Sequence, residues 1–311
     1  MNVLLWHVHG SWTTAFVQGH HRYIVPVLPG RGPYGWGRAA TWQWPRSVVE
    51  MAPNEVAAED VDVVILQRPE ELGGLAEGWL GGRRPGIDVP AVYVEHNCPQ
   101  GRIAEMRHPV ADRADISVVH VTHFNALFWD TGKAPTRVIE HGIVDPGYRF
   151  SGALERVVAV INEPARRGRV TGTDILERIS RSVPIDLFGM QTESLGGRAV
   201  PQHELHEEMA RRRVYLHPVR WTSLGLSLVE AMQLGMPVVS VATTEVCEAV
   251  SDRAGIVSNR ADVLFSALRR FLNEPEEAIA MGKAARQEAL SRFGLDRFLR
   301  DWDLCLGEVG G

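Results

Sequence analysis

Cysteine is scarce in this sequence. Only three of the 311 residues are cysteines, Cys98, Cys247 and Cys305. No two of them stand at the C-x-x-C spacing of a metal or redox motif. Scattered cysteines in a chain of this size are typical of a reducing compartment, so we expect structural thiols and a cytoplasmic location. The pattern argues against a disulfide-stabilised secreted domain.

Long apolar runs and an excess of one charge are also missing. No apolar stretch reaches the roughly 20 residues that span a bilayer, and the opening MNVLLWHVHG lacks the charged leader of a signal peptide. The formal net charge of −5 and the pI near 6.2 give no basic surface for nucleic acid or anionic membranes. We therefore expect a soluble protein with no nucleic-acid partner and no integral membrane association.

Several common catalytic motifs are absent as well. The chain has no Gly-x-Ser-x-Gly elbow, no Walker loop and no GxGxxG fingerprint. The segment HELHEEM, residues 203–209, lacks the HExxH spacing of a zinc protease, and no Asp-x-Asp pair follows a predicted strand. We accordingly expect neither a bound cofactor nor a metal ion in the active site.

What is present is a regular alternation of β-branched runs and amphipathic segments, which is typical of parallel βα units. The predicted strands of the first half are Val3–Val8, Tyr23–Val27, Val61–Leu66, Ala91–Val94, Ser117–Val121 and Arg137–Glu140. Those of the second half are Val157–Ile161, Ile185–Phe188, Val214–Leu216, Val238–Val241 and Gly255–Val257. The helices predicted there are Asp174–Arg181, Leu205–Arg212, Leu224–Leu234, Ala261–Asn273, Pro275–Arg292 and Leu295–Leu306.

A domain boundary is expected where VDPGYRFSGALE places proline, two glycines and serine before a new strand. This divides the chain into a first α/β domain, residues 1–147, and a second, residues 148–292. For the remaining segment, 293–311, one candidate position is against the first domain. Two such open sheets would leave a cleft between them, and ligands of open parallel sheets bind beyond the carboxyl ends of the strands.

The stretch WTSLGLSLVEAMQLGMPVVS, residues 221–240, joins a polar turn to a short apolar helix and a strand. Gly235 is placed as a left-handed C-cap, and Pro237 prevents the helix from continuing. The turn at residues 222–225 leaves free N–H groups at the helix start, which is a ready site for an anion. Glu230 stands in the middle of the helix, where a carboxylate costs free energy unless it is paired. Glu230 therefore either binds a ligand such as a sugar diol or pairs with a nearby arginine.

The run HPVRWTSLGLSLVEAMQLGMPVV closely resembles the donor-site segment of retaining, nucleotide-sugar-dependent glycosyltransferases of family four. That family has the B-type fold, two Rossmann-like domains whose parallel sheets face each other across a cleft, so the resemblance implies this α/β architecture. It also implies that Glu230 holds the nucleotide ribose. The backbone around Ser223, Leu224, Gly225 and Leu226 would then face the sugar and the diphosphate. The family carries another glutamate eight residues earlier, where this chain has Thr222.

Two further segments resemble the same family. IEHGIVDP, residues 139–146, is similar to its Asn-Gly-Val-Asp turn, with His141 in place of asparagine. VVAVINEPARRGRVTGTDIL, residues 157–176, is similar to the segment that contacts the diphosphate. The resemblance places Arg166 at the family's arginine and Thr171 where lysine is usual, with Arg169 as a possible substitute. An arginine fork suits a diphosphate because it holds two oxygens at once; the alternative is an exposed basic loop.

In the first domain the candidates follow two predicted strands. The resemblance places His96, in VYVEHNCP, near the donor sugar, with Asn97 as a candidate acceptor contact. In VHGSWTT, Gly10 would let the backbone approach the diphosphate. His9, Ser11 and Trp12 would meet the acceptor. The alternatives are an ordinary loop histidine and an ordinary glycine turn. Five tryptophans of this domain either stack on an acceptor or belong to the core: Trp6, Trp12, Trp36, Trp42 and Trp44.

The resemblance implies a retaining glycosyltransferase that moves a sugar from a nucleoside-diphosphate sugar to a small soluble acceptor, without a protein nucleophile or a metal. Arg166, Arg169 and the helix start would stabilise the charge that grows on the departing diphosphate. Two alternatives remain open. One is a phosphorylase, hydrolase or epimerase on the same scaffold. The other is a nucleotide-sugar-binding protein without turnover, which Thr222 and the missing lysine favour. The donor base, the donor sugar, the acceptor and the oligomeric state are not predicted.

Overall fold

The computed structural model describes residues 1–311, and the chain divides into two compact units. The first unit consists of Met1–Val144 together with Leu295–Gly311, and the second is Asp145–Gly294. The sequence placed the boundaries after residues 147 and 292, so both lie within three residues of these limits. The final segment of the chain belongs to the first unit.

The first unit is built on a seven-stranded parallel sheet in the order β3-β2-β1-β4-β5-β6-β7. Its strands are β1 (Asn2–Leu5), β2 (Arg22–Pro26), β3 (Val48–Met51), β4 (Val63–Leu66), β5 (Ala91–Glu95), β6 (Ser117–His120) and β7 (Thr136–Val138). Every residue of the central strand β4, VVIL, is buried, as expected for a strand covered on both faces. The sequence analysis missed β3 because this edge strand, VVEM, is short, half-exposed and contains a glutamate.

Five α-helices accompany this sheet: α1 (Gly10–Phe16), α2 (Pro53–Ala58), α3 (Ala76–Trp79), α4 (His123–Phe128) and the chain's last helix, α12 (Leu295–Gly310). Helix α12 packs on α1 through aromatic rings. The Trp302 ring centre lies 4.9 Å from that of Phe16 and 5.7 Å from that of Trp12. A Cβ on Gly142 would come within 2.2 Å of Phe298, so the chain passes very close to this helix. Helix α12 is therefore part of the core of the first unit.

The second unit contains a five-stranded parallel sheet in the order β12-β11-β10-β8-β9. Its strands are β8 (Leu154–Val160), β9 (Ile185–Phe188), β10 (Arg212–His217), β11 (Val238–Val241) and β12 (Gly255–Ser258). Its helices are α5 (Pro164–Arg167), α6 (Thr173–Ser180), α7 (Gln202–Ala210), α8 (Leu226–Leu234), α9 (Val246–Ala249), α10 (Ala261–Asn273) and α11 (Pro275–Phe293). No helix of either unit combines the length and apolarity needed to cross a membrane.

The predicted limits of two helices of the second unit, α7 and α8, were wrong by two or three residues. Helix α7 begins at Gln202 rather than Leu205. Helix α8 begins at Leu226 rather than Leu224, because Gly225 is still extended with ψ at 118°. Helix α7 ends at Ala210, so Arg212 opens strand β10 instead of closing the helix. Arg212 is buried, and its guanidinium is bonded to Asp186 and Glu208. These ion pairs make a charged residue compatible with a buried strand, which a sequence pattern does not reveal.

Helix α8 occupies the interior of the second unit, since every residue from Leu228 to Leu234 is buried. It ends at Gly235, whose φ of +88° is the left-handed C-cap that the sequence predicted. Helix α11 crosses this end at very short range. A Cβ on Gly282 would lie 1.9 Å from the carbonyl oxygen of Gly235. Because residue 282 is glycine, the backbones of α11 and α8 can come into contact, and this contact fixes the end of α8.

Candidate functional site

The carboxyl end of β10 leads into a turn, Pro218–Gly225, that is joined to a second loop of the same unit. The N–H groups of Arg220 and Trp221 both donate to the carbonyl oxygen of Val170, at 2.9 and 3.2 Å. Gly172 makes this contact possible, because its φ is +75° and a Cβ there would lie 1.9 Å from the carbonyl oxygen of Pro218. The two segments that resemble the family's diphosphate and sugar contacts are therefore neighbours.

The N-cap residue of α8 is Gly225, which has no side chain to cap the helix start. The first N–H groups of any α-helix have no carbonyl partner within the helix, and the helix dipole adds positive potential at the same place. This arrangement binds phosphate groups in other α/β proteins.

Gly225 is packed against the ring of His217, the last residue of β10. A Cβ on Gly225 would lie 2.5 Å from Cε1 of that ring. Burial lowers the pKa of His217 to about 4, so the imidazole is neutral at neutral pH. Neither ring nitrogen has a hydrogen-bond partner. The ring fills the space beside residue 225. Only glycine at this position therefore allows the helix start to keep its observed position.

We expect Gly225→Ala to displace the start of α8 and to weaken the binding of a nucleoside diphosphate about tenfold or more, because overpacking costs about 1–3 kcal/mol. The double variant Gly225→Ala/His217→Ala removes the ring that the new methyl group meets, and should recover most of the affinity. Titration calorimetry with the wild-type protein and both variants measures this. Equal affinities in the wild type and the single variant would contradict the assignment of the helix start.

Glu230 is one turn inside α8 and is only 3% exposed. Its Oε2 lies 3.4 Å from Nε2 of His206, which belongs to α7. The sequence analysis weighed HELHEEM only as a metal motif and missed this contact, since the packing of α7 beside α8 cannot be read from periodicity. His206 is thus a functional candidate that the sequence alone did not identify.

The two predicted arginines lie on the surface of the loop that precedes α6. Arg166 is exposed, and its guanidinium is bonded to Glu163. Arg169 is 76% exposed and lies 2.8 Å from Asp174. Both cations thus already have carboxylate partners, which a diphosphate would have to replace or share.

Two other residues of this region differ from the roles that the sequence suggested. Thr171, at the position of the family's lysine, is buried, and its hydroxyl donates to the carbonyl oxygen of Gly168. Arg220, which was not predicted, binds both oxygens of Asp174. This bidentate pair holds the pKa of Asp174 below its ordinary value. Arg220 thereby adds a second cation beside the one from Arg169.

In the first unit, two histidines that follow different strands meet. His9 follows β1 and His96 follows β5, and their ring centres are 4.0 Å apart. Burial and the nearby Arg68 lower the pKa of His9 to about 4, and burial takes the pKa of His96 well below its usual value. His141, also buried, has its pKa lowered to about 3. The cluster is therefore uncharged at neutral pH.

The tautomer of His96 follows from its partner. The side-chain nitrogen of Gln67 donates to the carbonyl oxygen of Trp6 at 2.8 Å, which assigns the amide orientation. The amide oxygen of Gln67 lies 3.1 Å from Nε2 of His96 and accepts a hydrogen bond from its N–H. The Nδ1 atom is then the acceptor nitrogen of the ring.

The other predicted contacts of the first unit separate into accessible and buried residues. Gly10 opens α1, and a Cβ there would lie 3.2 Å from the indole nitrogen of Trp42. Ser11 is half-buried and Asn97 is exposed. Trp12 is fully buried, so its predicted contact with an acceptor was wrong. Its ring stacks on Phe16 instead, with ring centres 4.9 Å apart.

The remaining tryptophans divide in the same way. Trp6 and Trp44 are buried core residues. Trp36 is 49% exposed, and Trp42 is half-buried. The question that the sequence left open is thus answered residue by residue: three of the five belong to the core, and Trp36 and Trp42 remain accessible for stacking.

Residues 194–288 match the family model of the glycosyl transferases group 1. The matched segment lies within the second unit and is similar to that family. The matched segment contains α8 and Glu230, whereas Arg166 and Arg169 precede it. This match supports glycosyl transfer as the activity of the chain.

Solved structures show that the B-type glycosyltransferase fold extends over the whole chain. Sucrose-phosphate synthase from Thermosynechococcus elongatus has a TM-score of 0.74 at 14% identity, covering 99% of this chain and 98% of that one. HepE of Anabaena, in complex with UDP-glucose, has a TM-score of 0.73 at 17% identity, covering 99% and 100%. A glycosyltransferase from Rickettsia africae has a TM-score of 0.66 at 11% identity, covering 99% and 98%. At these identities the likeness establishes the fold. No curated protein sequence matches the chain significantly.

Proposed function

We propose that this protein is a retaining, metal-independent glycosyltransferase that uses a nucleoside-diphosphate sugar as donor and a small soluble molecule as acceptor. The observation that carries the proposal is Glu230, a buried carboxylate behind the helix start at Gly225, within the segment that matches the group 1 glycosyl transferase model. In this proposal its two oxygens accept hydrogen bonds from the ribose diol. A structural relative that was solved with UDP-glucose supports a donor of this class.

The diphosphate is assigned to the N–H groups at residues 223–226 and to the cations of the neighbouring loop. As the glycosidic bond breaks, negative charge grows on the leaving diphosphate, and preorganised donors stabilise it most strongly at that moment. Arg169 and Arg220 share the Asp174 carboxylate. They can supply this stabilisation without a metal ion. Arg166 contributes once it leaves Glu163.

The acceptor is assigned to the first unit. The neutral His96 is assigned to the donor sugar, as the family resemblance implies. His9, Ser11 and Asn97 then remain for the acceptor, together with the backbone at Gly10. Because no side chain is assigned as a nucleophile, retention of configuration would follow from attack on the face that the diphosphate leaves.

The proposal is tested by thermal unfolding with UDP, GDP, ADP and dTDP. We expect one nucleotide to stabilise the fold by about 2.7 kcal/mol when it is present at 100 times its dissociation constant. Glu230→Gln should abolish most of this shift, because the amide keeps the size but loses the charge-assisted bonds to the ribose, worth about 1.5–3 kcal/mol each. The exposed Glu248→Gln, in the same domain, is the matched control and should retain the full shift. A panel with no shift for any nucleotide would refute the donor assignment.

A second candidate, a nucleotide-sugar-binding protein without turnover, is favoured by one observation. Both predicted catalytic arginines have carboxylate partners, and the residue at the family's lysine position is a buried threonine. Release of free nucleoside diphosphate separates the two candidates. A transferase releases it only with an acceptor present, a hydrolase releases it without one, and an inert binder never does. The anomeric configuration of the product, read by NMR, then tests retention.

A further inference from the structure

The turn between α1 and β2 brings two consecutive histidines to one carboxylate of α12. Nδ1 of His20 lies 3.5 Å from Oδ2 of Asp303, and Nε2 of His21 lies 3.1 Å from Oδ1. The two ring centres are 4.3 Å apart, and the three potential ligand atoms all lie within 4.8 Å of one another. Side chains of consecutive residues in an extended chain point in opposite directions. Their convergence here requires both the turn and the position of α12.

We propose that His20, His21 and Asp303 form a binding site for a divalent transition-metal ion of the zinc class. Tetrahedral zinc, with bonds of about 2.0–2.1 Å, holds neighbouring ligand atoms about 3.3 Å apart. The two distances from the imidazole nitrogens to the carboxylate, 3.5 and 3.1 Å, go to different oxygens of Asp303, and each is close to this value. Two imidazoles and a carboxylate suit zinc, whereas magnesium and calcium favour oxygen ligands.

The exposure of these side chains agrees with such a site. The side chain of His20 is 73% exposed, so an ion reaches the site from solvent and keeps water in the remaining position. On binding, each neutral imidazole coordinates the ion through its unprotonated nitrogen and keeps its one proton on the other ring nitrogen.

The site lies at the edge of the first sheet opposite the candidate active-site histidines, so we assign the ion a structural role. His20 and His21 directly precede β2, so they lie at the amino-terminal edge of the first sheet. His9 and His96 follow the carboxyl ends of their strands, at the opposite edge. The ion therefore joins α12 to the turn that follows α1 and takes no part in glycosyl transfer. The inference does not depend on the proposed function.

Titration calorimetry of tag-free protein with Zn²⁺, and with Mg²⁺ for comparison, tests the site. We expect one equivalent of Zn²⁺ to bind and to raise the melting temperature of the wild-type protein. Asp303→Asn should weaken Zn²⁺ binding at least about tenfold, and so should His20→Ala, because each removes a ligand. His20 is exposed, so its replacement leaves the fold intact even if Asp303→Asn does not. Asp301→Asn, on the same helix and paired with Arg297, is the matched control and should bind as the wild type does.

Cobalt supplies a spectroscopic check, since tetrahedral Co²⁺ with nitrogen and oxygen ligands absorbs visible light. The absorption should appear with the wild type and with Asp301→Asn, and it should disappear with His20→Ala. The inference is overturned if Zn²⁺ binds no more tightly than Mg²⁺. It is equally overturned if Zn²⁺ binds with the same affinity to the wild type, His20→Ala and Asp303→Asn, because the ion then lies elsewhere.

Discussion

Replacing Trp302 with alanine should destabilise the first unit by about 3–5 kcal/mol, the usual cost of removing a large buried aromatic side chain. Trp302 is fully buried in α12 and contacts the rings of Trp12, Phe16 and Phe298. Its removal leaves a cavity lined by rigid rings that cannot collapse into the space. Denaturation in urea, followed by tryptophan fluorescence and circular dichroism, measures the loss. Of the nine tryptophans only Trp221 is in the second unit, so fluorescence reports mainly on the first.

Leu304 is the matched control for this prediction. It lies two residues further along α12 and is 66% exposed. Its replacement by alanine should change the free energy of unfolding by no more than about 0.5 kcal/mol. A Trp302→Ala variant as stable as Leu304→Ala would show that α12 does not pack on α1 in solution.

Acid should unfold the first unit at a mildly acidic pH, because several of its histidines are buried in the neutral form. The pKa values of His9 and His120 are lowered to about 4 and that of His141 to about 3, mainly by burial. In the unfolded chain a histidine titrates near pH 6.5. Between these values the unfolded state binds protons that the folded state excludes, so stability falls as the pH drops from about 6.5 towards 4. Above pH 6.5 these groups add no pH dependence.

Between these pKa values, each such histidine should lower the free energy of unfolding by about 1.4 kcal/mol for each pH unit of acidification. The three together should therefore make this free energy depend steeply on pH. His120 allows the cleanest test, because it is fully buried and neither ring nitrogen has a partner. His120→Phe should lower the slope by that amount and change the stability at pH 8 little, since an apolar ring replaces unpaired polar atoms. His123→Gln, on the exposed face of α4, should keep the wild-type slope. Melting temperatures between pH 4.5 and 8 provide the measurement, and an unchanged slope in His120→Phe would contradict the prediction.

The most informative part of the sequence was residues 217–241, where local physics and tertiary structure agree. Gly235 and Pro237 end a helix in any context, and the β-branched residues after them form a strand. Glu230 was identifiable because a single carboxylate in an apolar helix needs a partner. The observed start of α8 lies two residues after the predicted one, whereas its end is as predicted. The backbone of Gly225 can be helical or extended, because glycine has no side chain that favours one conformation.

The partners of these residues were not readable from the sequence. His206 reaches Glu230 only because α7 packs beside α8, and Arg220 reaches Asp174 only because two loops meet at Gly172. Contacts between segments that are far apart in sequence depend on the packing of whole elements. Residue periodicity records which face of an element is buried, but it does not record what covers that face.

The order of strands and helices, the approximate division into two α/β units and the turn before Glu230 are already determined by the sequence, because they depend on local propensities and repeating patterns. Tertiary structure alone decided that Trp12 is a core residue while Trp36 is accessible, and that His9, His96 and His141 are neutral. It also decided that the side chains of His20, His21 and Asp303 lie close together. Burial, pKa values and ligand geometry are properties of surroundings, and the surroundings exist only once the chain has folded.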